Sequence, residues 1–248
     1  MAAVTRNIKL TIEYDGTGYS GWQRLRGRPS VQAEIERAIH ALTKEKVNLI
    51  GAGRTDAGVH ALGQVANFAT GGRIAAARFP AALNHHLPPA VRVLEAEEVD
   101  AAFHARYAAT GRTYRYAILN RTAPSAILRH HAVHIPQPLD DHAISHGLPF
   151  LLGTHPFTAF RATGSGERTT HCTMRRADVA RSGDMLIFTF EADRFLRHMV
   201  RLIMGTAIRI GEGKLAPEAV EDILASEDNA RSGPRAPAHG LFLVRVAY

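Results

Sequence analysis

The sequence predicts an α+β fold built as two broadly similar halves with largely antiparallel sheet. Three observations predict it. Residues 7 to 14 alternate, with Ile8, Leu10, Ile12 and Tyr14 on one face and Lys9, Thr11 and Glu13 on the other, as in a half-buried strand. Val31, Ile35, Ile39 and Leu42 then recur at the spacing of one helix face. A comparable order of strands and helices returns after residue 104, although no repeat in the sequence itself shows duplication directly.

Each element follows in turn. Pro29-Ser30 precedes the first helix, with Ser30 as its expected N-cap and Glu34 in its first turn. Gln64 to Phe68 reads as a short strand. A helix is expected over Ala75 to His85, ended by Leu87-Pro88-Pro89, and a strand over Val91 to Leu94. Aromatic and β-branched residues mark a strand from Arg112 to Leu119, whose two-residue period puts Arg112, Tyr114 and Tyr116 on one face, as if lining a wall. Arg175 to Ala180 and Met185 to Glu191 flank Arg181-Ser182-Gly183-Asp184 as a hairpin. A helix then carries an apolar stripe of Leu196, Val200, Ile203 and Ala207, with Arg194, Arg197 and Arg201 on another side, and ends at Gly211 and Gly213. Pro217 starts a short helix with Val220, Ile223 and Leu224 inward, and Leu241 to Tyr248 closes the chain as a strand. The expected domains are 1–103 and 104–248. Arg161 to Arg168 reads as a polar surface loop, either simply solvated or able to close over a ligand.

Composition narrows the function classes. The chain has 248 residues, 46% of them hydrophobic, which is enough for a real core and excludes wholesale disorder. Thirty Lys+Arg against 23 Asp+Glu give a formal charge of +7, which favours a polyanionic partner but also fits a generic basic enzyme. Lys occurs only at 9, 44, 46 and 214, so the basic residues are mostly Arg, the better side chain for bidentate phosphate contacts and for stacking on bases. Cys172 is the single cysteine, which excludes an intrachain disulfide and a cysteine-based zinc site. The start shows no apolar leader and no run approaches membrane-spanning length, so a soluble cytoplasmic protein is expected.

The run from Gly53 to Phe68, Gly-Arg-Thr-Asp-Ala-Gly-Val-His-Ala-Leu-Gly-Gln-Val-Ala-Asn-Phe, sets one carboxylate, Asp56, among glycines with no second acid nearby. Such a lone acid suits covalent attack better than paired acid–base work, and it disfavours a hydrolase that needs two carboxylates. Gly51, Gly53, Gly58 and Gly63 allow a tight loop that presents Asp56 rather than burying it. Arg54 could pair with phosphate, stack on a base, or keep Asp56 ionised. Three histidines, His130, His131 and His134, raise a metal-site reading. Strand alternation from His130 to Ile135 would keep them from converging on one face, so no metal is expected.

The same run closely resembles the signature segment of the tRNA pseudouridine synthase A family. The resemblance spans nearly the whole chain: Tyr14-Asp15-Gly16-Thr17, Gly21-Trp22-Gln23, Ala82-Leu83-Asn84, Leu87-Pro88, Phe103-His104-Ala105-Arg106, Arg112-Thr113-Tyr114-Arg115-Tyr116, Leu152-Gly153-Thr154-His155, Phe195-Leu196, His198-Met199-Val200-Arg201 and His239-Gly240-Leu241. It implies two ferredoxin-like halves with sheets side by side and a basic cleft between them. It also implies tRNA as partner, at uridines 38 to 40 of the anticodon stem-loop, no cofactor, and a homodimer. Asp56 matches the family nucleophile, attacking either C6 of uracil or C1′ of ribose. Tyr114 matches the active-site tyrosine that stacks on uracil and takes the C5 proton, and Arg201 matches the basic residue paired with the nucleophile. Arg54 matches the residue that fills the space of a flipped-out uridine, and Arg112, on the strand of Tyr114, is expected to contact RNA. Pro156, Leu202 and Pro149 depart from the usual pattern without removing a catalytic group. The competing reading is a non-catalytic basic RNA-binding protein, which would need the basic surface but not Asp56, Tyr114 and Arg201 together.

Overall fold

A computed structural model of the chain describes residues 5–164, 166 and 169–248. It has ten strands and five α-helices among the described residues. The chain divides into two compact units, Met1–Thr110 with Leu243–Tyr248, and Gly111–Phe242. The first unit therefore ends a few residues beyond the expected boundary at 103, and the closing strand returns to it. Hydrogen bonds explain the return: Thr110 N–H donates to the Ala247 carbonyl at 2.9 Å, and the Tyr248 hydroxyl to the Ala105 carbonyl at 2.9 Å.

In the first unit, β1 (Arg6–Tyr14), β2 (Ile50–Gly51), β3 (His60–Thr70), β4 (Val91–Val99) and the later β10 (Leu241–Ala247) form sheet in the order β4-β1-β3-β10, with β2 on β3. Both pairings of β1 are antiparallel, and Ile8 faces Phe68 while Leu10 faces Ala66. The inward residues of β1 are fully buried, as the alternation predicts. α1 (Val31–Thr43) buries Val31, Ile35 and Ile39, and α2 (Phe79–His86) buries Phe79 and Leu83. Phe79 meets Phe68 edge-on at 5.6 Å. Three expectations shift here. Ser30 occupies the N-cap position with extended backbone, but its buried hydroxyl caps nothing and has no hydrogen-bond partner among the described residues. The strand expected at Gln64 starts at His60, because its residues are buried on both faces and show little alternation. The helix expected from Ala75 begins as a 3₁₀ turn at Ala76–Arg78 and becomes α-helical only at Phe79.

In the second unit, β5 (Gly111–Asn120) pairs antiparallel with β9 (Met185–Ala192), β9 with β8 (His171–Ser182), and β8 with β7 (Gly153–Pro156), while β6 (Val133–Ile135) joins β5 in parallel. The sheet is thus mixed but mostly antiparallel. α3 (Asp141–Gly147) is capped by Asp140, whose carboxylate accepts from Ala143 N–H, and Pro149 lies in a 3₁₀ turn after it. α4 (Met199–Gly211) is buried along most of its length, and α5 (Ala219–Ser226) turns Val220, Ile223 and Leu224 inward. The hairpin turns at Gly183, with φ 58°. α4 starts later than the sequence predicts. His198 sits in the left-handed region at φ 64° and breaks the chain there, so Arg194 and Arg197 precede the helix and only Arg201 lies on it. The strand expected from His130 begins at Val133, after a 3₁₀ turn at Leu128–His130. The expected loop Arg161–Arg168 falls partly outside the described residues, at 165, 167 and 168.

Candidate active site

Asp56 and Arg54 belong to the first unit. Between β2 and β3 the chain passes through Gly53-Arg54-Thr55-Asp56-Ala57-Gly58-Val59, where Arg54 is exposed, Thr55 buried and Asp56 half-buried. Val59 N–H donates to the Asp56 carbonyl at 3.2 Å, closing a four-residue turn, and its third residue, Gly58, has φ 76°. That position needs glycine, because a side chain at positive φ strains the backbone. Asp56 thereby heads the turn.

The loop is fixed from both ends. Gln64, fully buried, donates its amide to the Gly53 carbonyl at 2.8 Å, and Ala52 N–H donates to the Val65 carbonyl at 2.8 Å. Trp22 N–H donates to the Thr55 carbonyl at 3.1 Å, while the Tyr14 and Thr55 hydroxyls share a buried hydrogen bond at 2.7 Å. At the far end Gly16 N–H donates to His60 Nδ1 at 3.0 Å, and His60 is 1% exposed. Gly21 is required: a methyl there would stand 2.5 Å from the Thr55 carbonyl oxygen. Tyr14-Asp15-Gly16 and Gly21-Trp22, picked out as family-like motifs, are thus the scaffold of the Asp56 loop.

Tyr114, Arg112 and Arg201 belong to the second unit. Tyr114 is half-buried on β5, opposite Phe190, and meets the Phe195 ring edge-on at 5.0 Å. Arg112 Nη1 donates to the Asp193 carbonyl at 2.8 Å, so it ties β5 to the segment before α4. Tyr116 shares their side of the strand yet is fully buried, and its hydroxyl donates to the Pro237 carbonyl at 2.8 Å. It lines no accessible wall. Burial pushes the Tyr116 phenol far above its ordinary range, against a smaller opposing pull from the Arg201 charge. Of the two tyrosines, Tyr114 is partly exposed and Tyr116 is not.

Arg201 is anchored twice to one neighbour. Its Nε donates to the Ala236 carbonyl at 2.8 Å, and its own carbonyl accepts from Ala236 N–H at 3.0 Å. The segment Ser232–Ala236 can lie this close because Gly205 and Gly233 touch: a methyl on Gly205 would overlap the Pro234 carbonyl, and Gly233 N–H donates to Thr206 Oγ1 at 2.8 Å. Sequence reasoning missed this support. Its only signal was a glycine in mid-helix, at 205, and the Gly233-Pro234 pair.

His130 lies in the 3₁₀ turn before β6 and His134 on β6 itself. His134 Nε2 bonds the Arg121 carbonyl at 2.8 Å, whereas His130 and His131 act electrostatically on His239. Partial burial lowers the His239 pKa, and the nearby His130 and His131 lower it further. No helix among the described residues is long and apolar enough to cross a membrane.

Comparison with known proteins gives one answer. A family model described as tRNA pseudouridine synthase matches residues 10–108 and 150–248, which fits two similar halves. The tRNA pseudouridine synthase A of Acetivibrio thermocellus is 48% identical over 243 residues, covering 98% of this chain and 100% of the relative. The same-named protein of Moorella thermoacetica is 45% identical, covering 97% of this chain and 99% of the relative. That of a Thermoanaerobacter species is 43% identical, covering 98% and 100%. With the family model spanning most of both halves and these relatives aligned end to end, the chain belongs to the tRNA pseudouridine synthase family.

Proposed function

We propose that this isomerase converts uridine to pseudouridine in the anticodon stem-loop of tRNA, at positions 38 to 40, with Asp56 as nucleophile. The reaction breaks the bond from uracil N1 to ribose C1′, turns the base, joins C5 to C1′ and removes the C5 proton while N1 gains one, so that no proton is lost overall. It consumes no external reagent, so a nucleophile, a base and positioning groups suffice. The observation that carries the reading is the turn headed by Asp56, which offers one carboxylate on fixed backbone within a family-like sequence. Tyr114 takes the C5 proton and stacks on the ring, an assignment supported by its partial exposure on β5. Arg201 supplies the positive charge that favours an ionised nucleophile. Exposed Arg54 fills the space left by the flipped base, and Arg112 contacts RNA.

The protein is further proposed to act in the cytoplasm as a homodimer, a state that light scattering of the purified protein checks directly. Mapping pseudouridine in tRNA from cells with and without this protein tests the main reading. Loss of the modification at positions 38 to 40 alone is expected, and an unchanged map overturns it.

A further inference from the structure

Asp56 is joined to its neighbours by two peptide groups, and both are pinned. The Thr55 carbonyl accepts from Trp22 N–H at 3.1 Å, and the Asp56 carbonyl accepts from Val59 N–H at 3.2 Å. With both peptide planes held, the backbone angles of Asp56 are set and only its side-chain torsions remain. The first plane has a second, side-chain lock. Thr55 is 8% exposed and its hydroxyl lies 2.7 Å from that of Tyr14, which is 2% exposed. Tyr14 is in turn held by the sheet, pairing with Ala61 and Val91, and by Trp22, whose ring centroid is 6.0 Å away. The strand end that carries Tyr14 therefore positions Asp56 by way of Thr55.

We propose that Tyr14 is a positioning residue for the isomerisation, and that its hydroxyl, paired with Thr55, aims the Asp56 carboxylate. The proposal rests on Asp56 as nucleophile. Neither hydroxyl is offered to the substrate, so removing one leaves every RNA-contacting group in place while letting the Thr55–Asp56 peptide tilt. A tilt of this kind moves a nucleophile by a fraction of an ångström, enough to slow a reaction that depends on near-attack geometry. The effect falls on the chemical step, not on binding.

The test uses single-turnover tritium release from C5-labelled tRNA transcript at saturating enzyme, alongside filter binding and thermal melting of each variant. Tyr14→Phe and Thr55→Val, both close in shape to the originals, should each lower the rate about ten- to a hundredfold with Kd within about twofold of wild type. Thr55→Ser should restore most of the rate. The double variant Tyr14→Phe/Thr55→Val should be no slower than the worse single, because both remove one hydrogen bond. Wild-type rates in Tyr14→Phe overturn the proposal, as do equal losses of rate and binding, or loss of a cooperative melt. Asp56→Asn, run beside them, separates the two ideas: substantial turnover there removes the nucleophile assignment itself, whereas an inactive Asp56→Asn with a fully active Tyr14→Phe removes only the positioning role.

Discussion

The amide of Trp22 donates to the carbonyl of Thr55 at 3.1 Å, joining the residue before Asp56 to a segment more than thirty positions earlier in the chain. The approach is possible because residue 21 is glycine, with φ 99°. Asp56 is consequently displayed by a loop that owes its shape to long-range partners, not to its own sequence alone.

Arg54 is exposed two residues before Asp56, and the proposed reading gives it the space that a flipped uridine leaves. Arg54→Ala should slow single-turnover reaction on a uridine held in an intact stem by about tenfold or more, and matter less on an unpaired target, since unstacking costs a few kcal/mol only in the stem. Arg54→Lys should rescue little, because an ammonium does not stack as a guanidinium does. Equal losses on both substrates would assign Arg54 to phosphate binding.

Tyr114 and Tyr116 differ in access by two residues. Tyr114→Phe should lower turnover about a hundredfold or more with little change in RNA affinity, as removal of a general base does. A parallel fall in binding and turnover would make Tyr114 a stacking platform only. Tyr116→Phe should act on stability, because its hydroxyl serves the Pro237 carbonyl in the interior.

Gly205 carries the contact that anchors Arg201. Gly205→Ala gains helix propensity but forces a methyl against the Pro234 carbonyl, and overpacking of this kind costs about 1–3 kcal/mol, more than the propensity returns. Thermal melting should show a fall of several degrees. An unchanged or raised midpoint would mean that Ser232–Ala236 shifts freely.

His239 has a pKa lowered first by burial and then by His130 and His131. A histidine held neutral by the fold stabilises above its unfolded pKa, and that contribution is lost as pH falls from about 6.5 through the folded value. The melting midpoint should therefore drop between pH 7 and pH 5, and His239→Gln should flatten that slope. An identical slope in the variant would move the effect to other groups.

Much of this was legible in the sequence where one face is wet and the other dry. The alternation of β1 and the stripe of α1 identified those elements because burial imposes period 2 or 3.6 on the residues. β3 was underestimated because it is buried on both faces and so loses that period. α4 was started too early because Leu196 and Arg197 continue a helical spacing that His198 breaks by adopting φ 64°, a backbone choice no hydrophobic pattern records. Asp56, Tyr114 and Arg201 stand in family-like motifs that the sequence displays directly. The groups that hold them, Thr55 with Tyr14 and Gly205 with Gly233, are long-range close approaches without any local period.

The central claim is that Asp56 is the nucleophile, and Asp56→Asn tests it most directly, since the amide is nearly isosteric and leaves the turn and its hydrogen bonds intact. With matched melting and matched RNA affinity as controls, tritium release from C5-labelled tRNA at saturating enzyme should fall by at least about a thousandfold, to the level of the uncatalysed background. Turnover within tenfold of wild type would contradict the account.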